Sequence, residues 1–185
     1  FDVLGGSKGV TLALTEGRLP LAHTRHSTHQ TPVVPAARTR YLAEISDTAV
    51  DLARGELMQR RGAFNTSLEE TEYLDRCRLK TARLFEAACV LGRDSVGGED
   101  SDVVALFGHR IGLAFQMLDD VLDSAGPVER TGKARGTDLL DGTVTLPFIE
   151  AAKVDPTLRD YDLASLDDVA ADALCDRISA TGALD

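Results

Sequence analysis

Apolar positions recur with a helical period from Tyr41 onward, and no stretch of useful length alternates with a period of two. In residues 41–60, Ile45, Ala49, Leu52, Ala53 and Leu57 share one stripe, and Gly62 and Asn65 then break it. Ser67 followed three residues later by Glu70 predicts a capped helix start. Its stripe is Leu74, Cys77, Leu84, Ala88 and Leu91, with a stop near Gly92 and a turn at Gly97-Gly98. A third helix spans about Asp102 to Asp123, with Val104, Phe107, Ile111, Leu118 and Leu122 on its main stripe. Phe115, Met117 and Val121 widen that stripe almost all round, which predicts a buried helix. Gly126-Pro127 ends it. Pro147 suits the first turn of a fourth helix, and a last one starts near Ser165 with Asp168 in a cap-like place. The expected fold is all-α, without internal repeats.

Residues 1–40 differ in kind. Lys8, Arg18, Arg25, Arg38 and Arg40 oppose Asp2 and Glu16, so this segment is +3 and residues 41–185 carry −13 of the net −10. His23 to Pro35 is rich in Thr, His and Pro without helical period and reads as loop. His23, His26 and His29 could suit zinc only weakly, having no helical frame and no cysteine partner. Gly5-Gly6-Ser7-Lys8-Gly9 lacks the order of a phosphate-binding P-loop.

The 185 residues suffice for one domain with a sizeable core. The acidic balance argues against nucleic acid as a partner. No apolar run is long enough to span a bilayer. Cys77, Cys89 and Cys175 are odd in number and far apart, which suits reduced thiols and a cytoplasmic location. The first residue is Phe, and the last follows a helix-stop glycine, Gly182, so both ends read as cut.

Candidate chemistry lies on the third helix. Gly108, Gly112, Gln116, Asp119, Asp120 and Asp123 fall on one side of it; the glycines leave space and the carboxylates sit one turn beyond. Asp119 and Asp123, at i and i+4, place their Cβ atoms roughly 5–6 Å apart. Like charges there repel unless a hard divalent cation joins them, and magnesium takes one or two carboxylates plus phosphate oxygens. The competing reading is a solvated acidic helix end. Ten residues on, Gly132-Lys133-Ala134-Arg135-Gly136-Thr137-Asp138 offers close backbone approach and a cation for phosphate. Lys80 lies on the apolar stripe between Cys77 and Leu84, where it either points into the same cavity or snorkels to the surface. Glu56 and Gln59, by pattern, are boundary residues.

Phe115-Gln116-Met117-Leu118-Asp119-Asp120-Val121-Leu122-Asp123 resembles the second aspartate-rich motif of the trans-prenyltransferases, the all-helical polyprenyl diphosphate synthases. Gly132-Lys133 through Asp138-Leu139, Thr145-Leu146-Pro147, Gly55-Glu56 with Gln59, and Lys80-Thr81 are similar to further landmarks in the same order over about 44–150. The resemblance implies an isoprenoid-synthase helical bundle and head-to-tail condensation of isopentenyl diphosphate with an allylic diphosphate. It implies magnesium (Mg2+) on Asp119, Asp120 and Asp123, with Asp119 and Asp123 the direct ligands. Lys80 and Lys133 would bind the allylic diphosphate, and Thr81 and Gln116 would sit beside the reacting carbons.

The departures are as informative. No Asp-Asp pair precedes Asp119, so the family's first aspartate-rich motif is absent, and residues 1–40 do not match the family. Thr143 stands where the family has lysine. The expectation is an incomplete bundle: an unmatched segment at 1–40 and a partial prenyl synthase domain at 41–185, inactive alone. It is either a truncated synthase or a non-catalytic interaction subunit that pairs with a complete one in a heteromer; a terpene cyclase relative fits the motifs less well, and the expected assembly is a homodimer or heterodimer.

Overall fold

The computed structural model describes residues 35–98, 101–126 and 135–184. The readings made on residues 1–34 and on Lys133 lie outside them. Among the described residues every regular element is helical. Residues from Arg38 onward form one compact unit.

Helix α1 runs Pro35–Arg61, beginning six residues before the first periodic position. The face it turns inward mixes polar residues with part of its apolar stripe: Ile45 and Leu52 are half-buried beside Glu44, Asp51 and Gln59, while Ala49 and Ala53 are exposed. Thr48 and Gly55 are its buried positions, whereas Leu57 is 59% exposed. Arg83 accounts for the polar part: it pairs with Glu44 at 3.0 Å, Asp51 at 3.1 Å and Glu86 at 2.8 Å, drawing the acidic side of α1 onto the next helical segment.

That segment is α2 (Glu70–Cys77), a π-helical turn (Arg78–Ala82) and α3 (Arg83–Ser95). Its start is two residues later than expected. Ser67 is engaged in a turn, donating its N–H to Asn65 at 3.1 Å, and Glu69 with Glu72 forms the capping box. The π turn inserts one extra residue, about 100° of rotation. The stripe expected at constant period therefore fails beyond Cys77: Leu79, Ala82 and Ala87 are buried, while Leu84 is exposed. The same turn carries Lys80 and Thr81.

Helix α4 (Ser101–Ala125) crosses α3 closely. A Cβ on Gly108 would stand 2.7 Å from the Phe85 carbonyl oxygen, and one on Gly112 2.6 Å from Ala82 Cα. Backbone from the neighbouring segment thus fills the space that the sequence reading assigned to a cavity beside these glycines. A second correction concerns burial. Phe107, Ile111, Phe115, Leu118 and Leu122 form an exposed stripe, with Leu118 at 63%. Only another face of α4, including Leu113, Met117 and Asp120, turns toward the core.

The core belongs to the carboxy-terminal elements. A short helix α5 (Thr137–Leu140) leads to α6 (Leu146–Val154), with Pro147 in its first turn as expected. Two 3₁₀ turns (Pro156–Asp160, Leu163–Ser165) precede α7 (Asp168–Ala180), capped by Asp167, whose side chain accepts from Ala170 N–H at 2.8 Å. Phe148, Leu158, Leu163, Leu174 and Ile178 pack around Tyr73 and Cys77 of α2. Cys77, Cys89 and Cys175 carry free thiols.

Candidate functional site

A cavity of about 220 Å³ opens where α1, the π turn, α4 and α5 meet. Lys80, Gln116, Asp119 and Asp120 line it, as the motifs suggest; Gln59, Arg76, Cys77, Asp138 and Thr143 complete the wall. Close approach of α1 creates the Lys80 side of it. A Cβ on Gly55 would meet Lys80 N at 2.7 Å, so glycine there lets the two backbones touch. Lys80 Nζ then donates to Gln59 Oε1 at 2.6 Å and lies 3.4 Å from Glu56. Lys80, with Arg60, holds the Glu56 carboxyl below its ordinary range. Gln59, read as a boundary residue, is part of the wall and donates onward to Thr143 Oγ1 at 3.1 Å.

The three aspartates of α4 diverge. Asp119 is exposed and lines the cavity. Asp123 is half-buried; its carboxylate accepts the Asp138 N–H at 3.1 Å and its carbonyl accepts the Gly136 N–H at 2.9 Å. Asp120 turns into the core, where Oδ2 accepts from the Tyr73 hydroxyl at 2.7 Å and Oδ1 from Gln116 Nε2 at 2.8 Å. Burial raises the Asp120 carboxyl above its ordinary value, against the two hydrogen bonds that favour its charged form. Asp120 was expected to help hold magnesium, with Asp119 and Asp123 as the direct ligands; it lines the cavity, is more deeply buried than either, and both its oxygens accept from protein donors.

Asp138 gathers the electrostatic cost. Burial first, then the carboxylates of Asp123, Asp120 and Asp119, push it up to about 7. Arg76, buried and bonded to the Val144 carbonyl at 2.8 Å, partly offsets this. Thr81 is not part of the cavity lining but donates to Gln116 Oε1 at 2.6 Å, so it joins the site through that residue.

A divalent cation can be tested against this donor set. Among the described residues no group of three or more acidic, His or Cys side chains forms a ready cage. Asp119 and Asp123 nevertheless offer two hard oxygen donors one turn apart, which suits magnesium because it keeps several waters. The residues fit that ion.

Tyr73, Arg76 and Asp138 were not singled out from the sequence. The signal existed for two of them: Tyr73 and Arg76 precede Lys80 by seven and four residues, one helical face. Behind the site, Arg135 pins the start of α5 to α7, bonding Asp172 at 2.9 Å and Asp176.

The sequence matches the polyprenyl synthetase family over residues 8–171, which takes in most of the segment 1–40 that was expected to be unmatched and corrects that expectation. Heptaprenyl diphosphate synthase component 2 of Geobacillus stearothermophilus is 41% identical over 109 residues, 58% of this chain and 34% of that protein. Heptaprenyl diphosphate synthase from Staphylococcus aureus superposes with a TM-score of 0.73 at 29% identity, over 78% of this chain and 47% of that one. A polyprenyl synthase from Caulobacter crescentus CB15, solved with calcium and isoprenyl diphosphate, gives the same TM-score of 0.73, 29% identity and coverage of 78% and 47%. This chain thus spans about a third of the curated relative's length, 34%. No helix among the described residues is long and apolar enough to cross a membrane.

Proposed function

The chain belongs to the polyprenyl synthetase family, and from that premise we propose that it supplies the diphosphate-binding half of a polyprenyl diphosphate synthase. The reaction proposed is the head-to-tail condensation of isopentenyl diphosphate with an allylic diphosphate, in the cytoplasm. One observation carries the reading: Lys80, Gln116 and Asp119 line a single cavity, and Asp123 stands one turn beyond Asp119. A calcium and isoprenyl diphosphate complex of the Caulobacter relative supports a cation–diphosphate site in this fold.

Asp119 and Asp123 would hold magnesium, and Lys80 and Lys133 would bind the allylic diphosphate. Magnesium, when bound, would neutralise charge on the leaving diphosphate. Lys80 reaches the cavity with its ammonium already oriented by Gln59 and Glu56, so little side-chain freedom is lost on binding. Gln116 and Thr81 would lie beside the reacting carbons. In this reading Asp120 supports its neighbours from the core rather than binding the ion. The sequence carries one aspartate-rich motif, so transfer by the chain alone is not expected.

A second reading, a non-catalytic subunit of a heteromeric synthase, draws on the exposed apolar stripe of α4. A component 2 protein among the relatives is consistent with it. Thermal melts with magnesium and pyrophosphate test the main reading. Ligand at a hundredfold excess over its Kd should add about 2.7 kcal/mol. Wild type should shift, and Asp119→Ala/Asp123→Ala should not; Lys80→Ala should stay folded and bind pyrophosphate more weakly by calorimetry. An unshifted wild type refutes the reading. Product formed from both substrates only after adding a second polypeptide would favour the subunit.

A further inference from the structure

Tyr73 is fully buried beneath the cavity, and its hydroxyl is one end of a row of hydrogen bonds whose donors converge on Asp120 from both sides. It donates to Asp120 Oδ2 at 2.7 Å. Asp120, itself 3% exposed, receives Gln116 Nε2 on Oδ1 at 2.8 Å. Gln116 Oε1 in turn receives the Thr81 hydroxyl at 2.6 Å. The four residues come from α2, α4 and the π turn, and Gln116 alone of the middle pair meets both the cavity and Thr81.

A glutamine amide has a donor end and an acceptor end, and its neighbours decide which way each points. A carboxylate that accepts on both oxygens can take only the NH2 end. The carbonyl oxygen is then forced to the Thr81 side. Asp120 keeps this acceptor role because a buried carboxylate needs donors, and Tyr73 supplies one that water cannot. Without the phenol, Asp120 has only Gln116 to hold it, and the amide loses the partner that orients it.

We propose that Tyr73 is a positioning residue: through Asp120 it fixes the amide of Gln116 with its carbonyl oxygen toward Thr81, so that the site favours positive charge on a bound carbon chain. The inference rests on the reading of this cavity as a diphosphate site. The negative end of the Gln116 dipole stabilises a cation; the reversed amide would repel one. The Tyr73 hydroxyl itself need touch no substrate.

The test is titration calorimetry of the full chain, with magnesium throughout and three probes. These are inorganic pyrophosphate, an allylic diphosphate analogue carrying a protonated tertiary amine, and its neutral counterpart with carbon in place of nitrogen. Wild type should bind the ammonium analogue more tightly than the neutral one. Tyr73→Phe keeps the ring and should cut that preference about tenfold, the worth of one hydrogen bond to a charged group. Pyrophosphate affinity should stay within about twofold, since no diphosphate contact is altered. A merely structural defect would weaken all three probes alike. Asp120→Asn, which cannot accept at both ends, should show the same loss, and the double variant should lose no more than either single one. If Tyr73→Phe proves unfolded by its thermal melt, the Asp120→Asn ratio decides. An unchanged ratio in the folded variants overturns the proposal, as does a wild type that binds pyrophosphate but shows no preference for the ammonium analogue. A wild type that binds no pyrophosphate removes the diphosphate reading first, and this inference with it.

Discussion

Phe148, Leu158, Leu174 and Ile178 lie wholly out of solvent, whereas Phe107, Phe115, Leu118 and Leu122 stand about half or more exposed along α4. Both groups are large, apolar and set at helical spacing. What separates them is the company each keeps. The carboxy-terminal residues close on one another and on α2 through short connections, so each side chain meets partners on several sides. The α4 stripe keeps only a partial contact with α3, where Phe115 lies 5.4 Å from Phe85 between ring centroids, and most of each side chain stays open to solvent. Burial of a Leu, Ile or Phe contributes about 1.5–3 kcal/mol, so the first group stabilises the unit while the second has that energy still to gain. The difference teaches that an apolar stripe indicates a capacity for packing and says nothing about whether the partner lies in the same unit.

The largest expected effect tests the core side of this comparison. Phe148→Ala should destabilise by about 3–5 kcal/mol in chemical denaturation, because nothing around a fully enclosed ring can collapse into its place. A loss below about 1 kcal/mol would mean that the core is loosely packed and the contrast false.

Next comes the acidic seam between the two regions. Burial and three neighbouring carboxylates push Asp138 up to about 7. Its ionisation is thus harder in the folded chain than in the unfolded one. The stability it contributes is intact below the ordinary carboxylate range and is lost as pH rises toward about 7. Asp138→Asn should accordingly be neutral near pH 4 and stabilising near pH 8, by at most about 4 kcal/mol at roughly 1.4 kcal/mol per unit. Melting curves across that range check it, and a stability difference that does not change with pH would refute it.

Gly112→Ala probes the contact that turns the α4 stripe outward. Its new methyl would fall 2.6 Å from Ala82 Cα, so the helices must part. A loss of about 1–3 kcal/mol is expected from thermal denaturation. An unchanged midpoint would show that the crossing is not tight.

The smallest stability effect belongs to the stripe itself. Leu118→Gln/Leu122→Gln should leave the unfolding free energy within about 0.5 kcal/mol, as for surface positions. The same pair should reduce self-association in sedimentation velocity if the face meets another copy. A large loss of stability would place these residues in a core after all.

Much of this was legible beforehand. The helical class, Pro147 in a first turn, and the ends of α4 to within two residues follow from local rules: period, proline chemistry and glycine punctuation. The shared cavity of Lys80, Gln116 and Asp119 was anticipated because helical spacing and motif order constrain which side chains can meet. Three things were not. The π turn at Arg78–Ala82 shifts the face of the chain without any glycine or proline to announce it. The inward polar side of α1 depends on Arg83, which lies 22 residues beyond the end of that helix. Asp120 could be told from Asp119 and Asp123 only by knowing which side of α4 the core occupies.

The sequence by itself determined that this protein is helical, that it carries an acidic helix end followed by a glycine- and lysine-containing segment, and that it shares its motifs with the polyprenyl synthetases. Those properties reside in spacing along the chain, where neighbours interact within a turn or two. Only the tertiary structure decided which carboxylate faces the cavity, which is locked to Tyr73, and which apolar stripe goes uncovered. Each of those outcomes depends on the approach of segments far apart in sequence, and that approach is set by packing that no local period encodes.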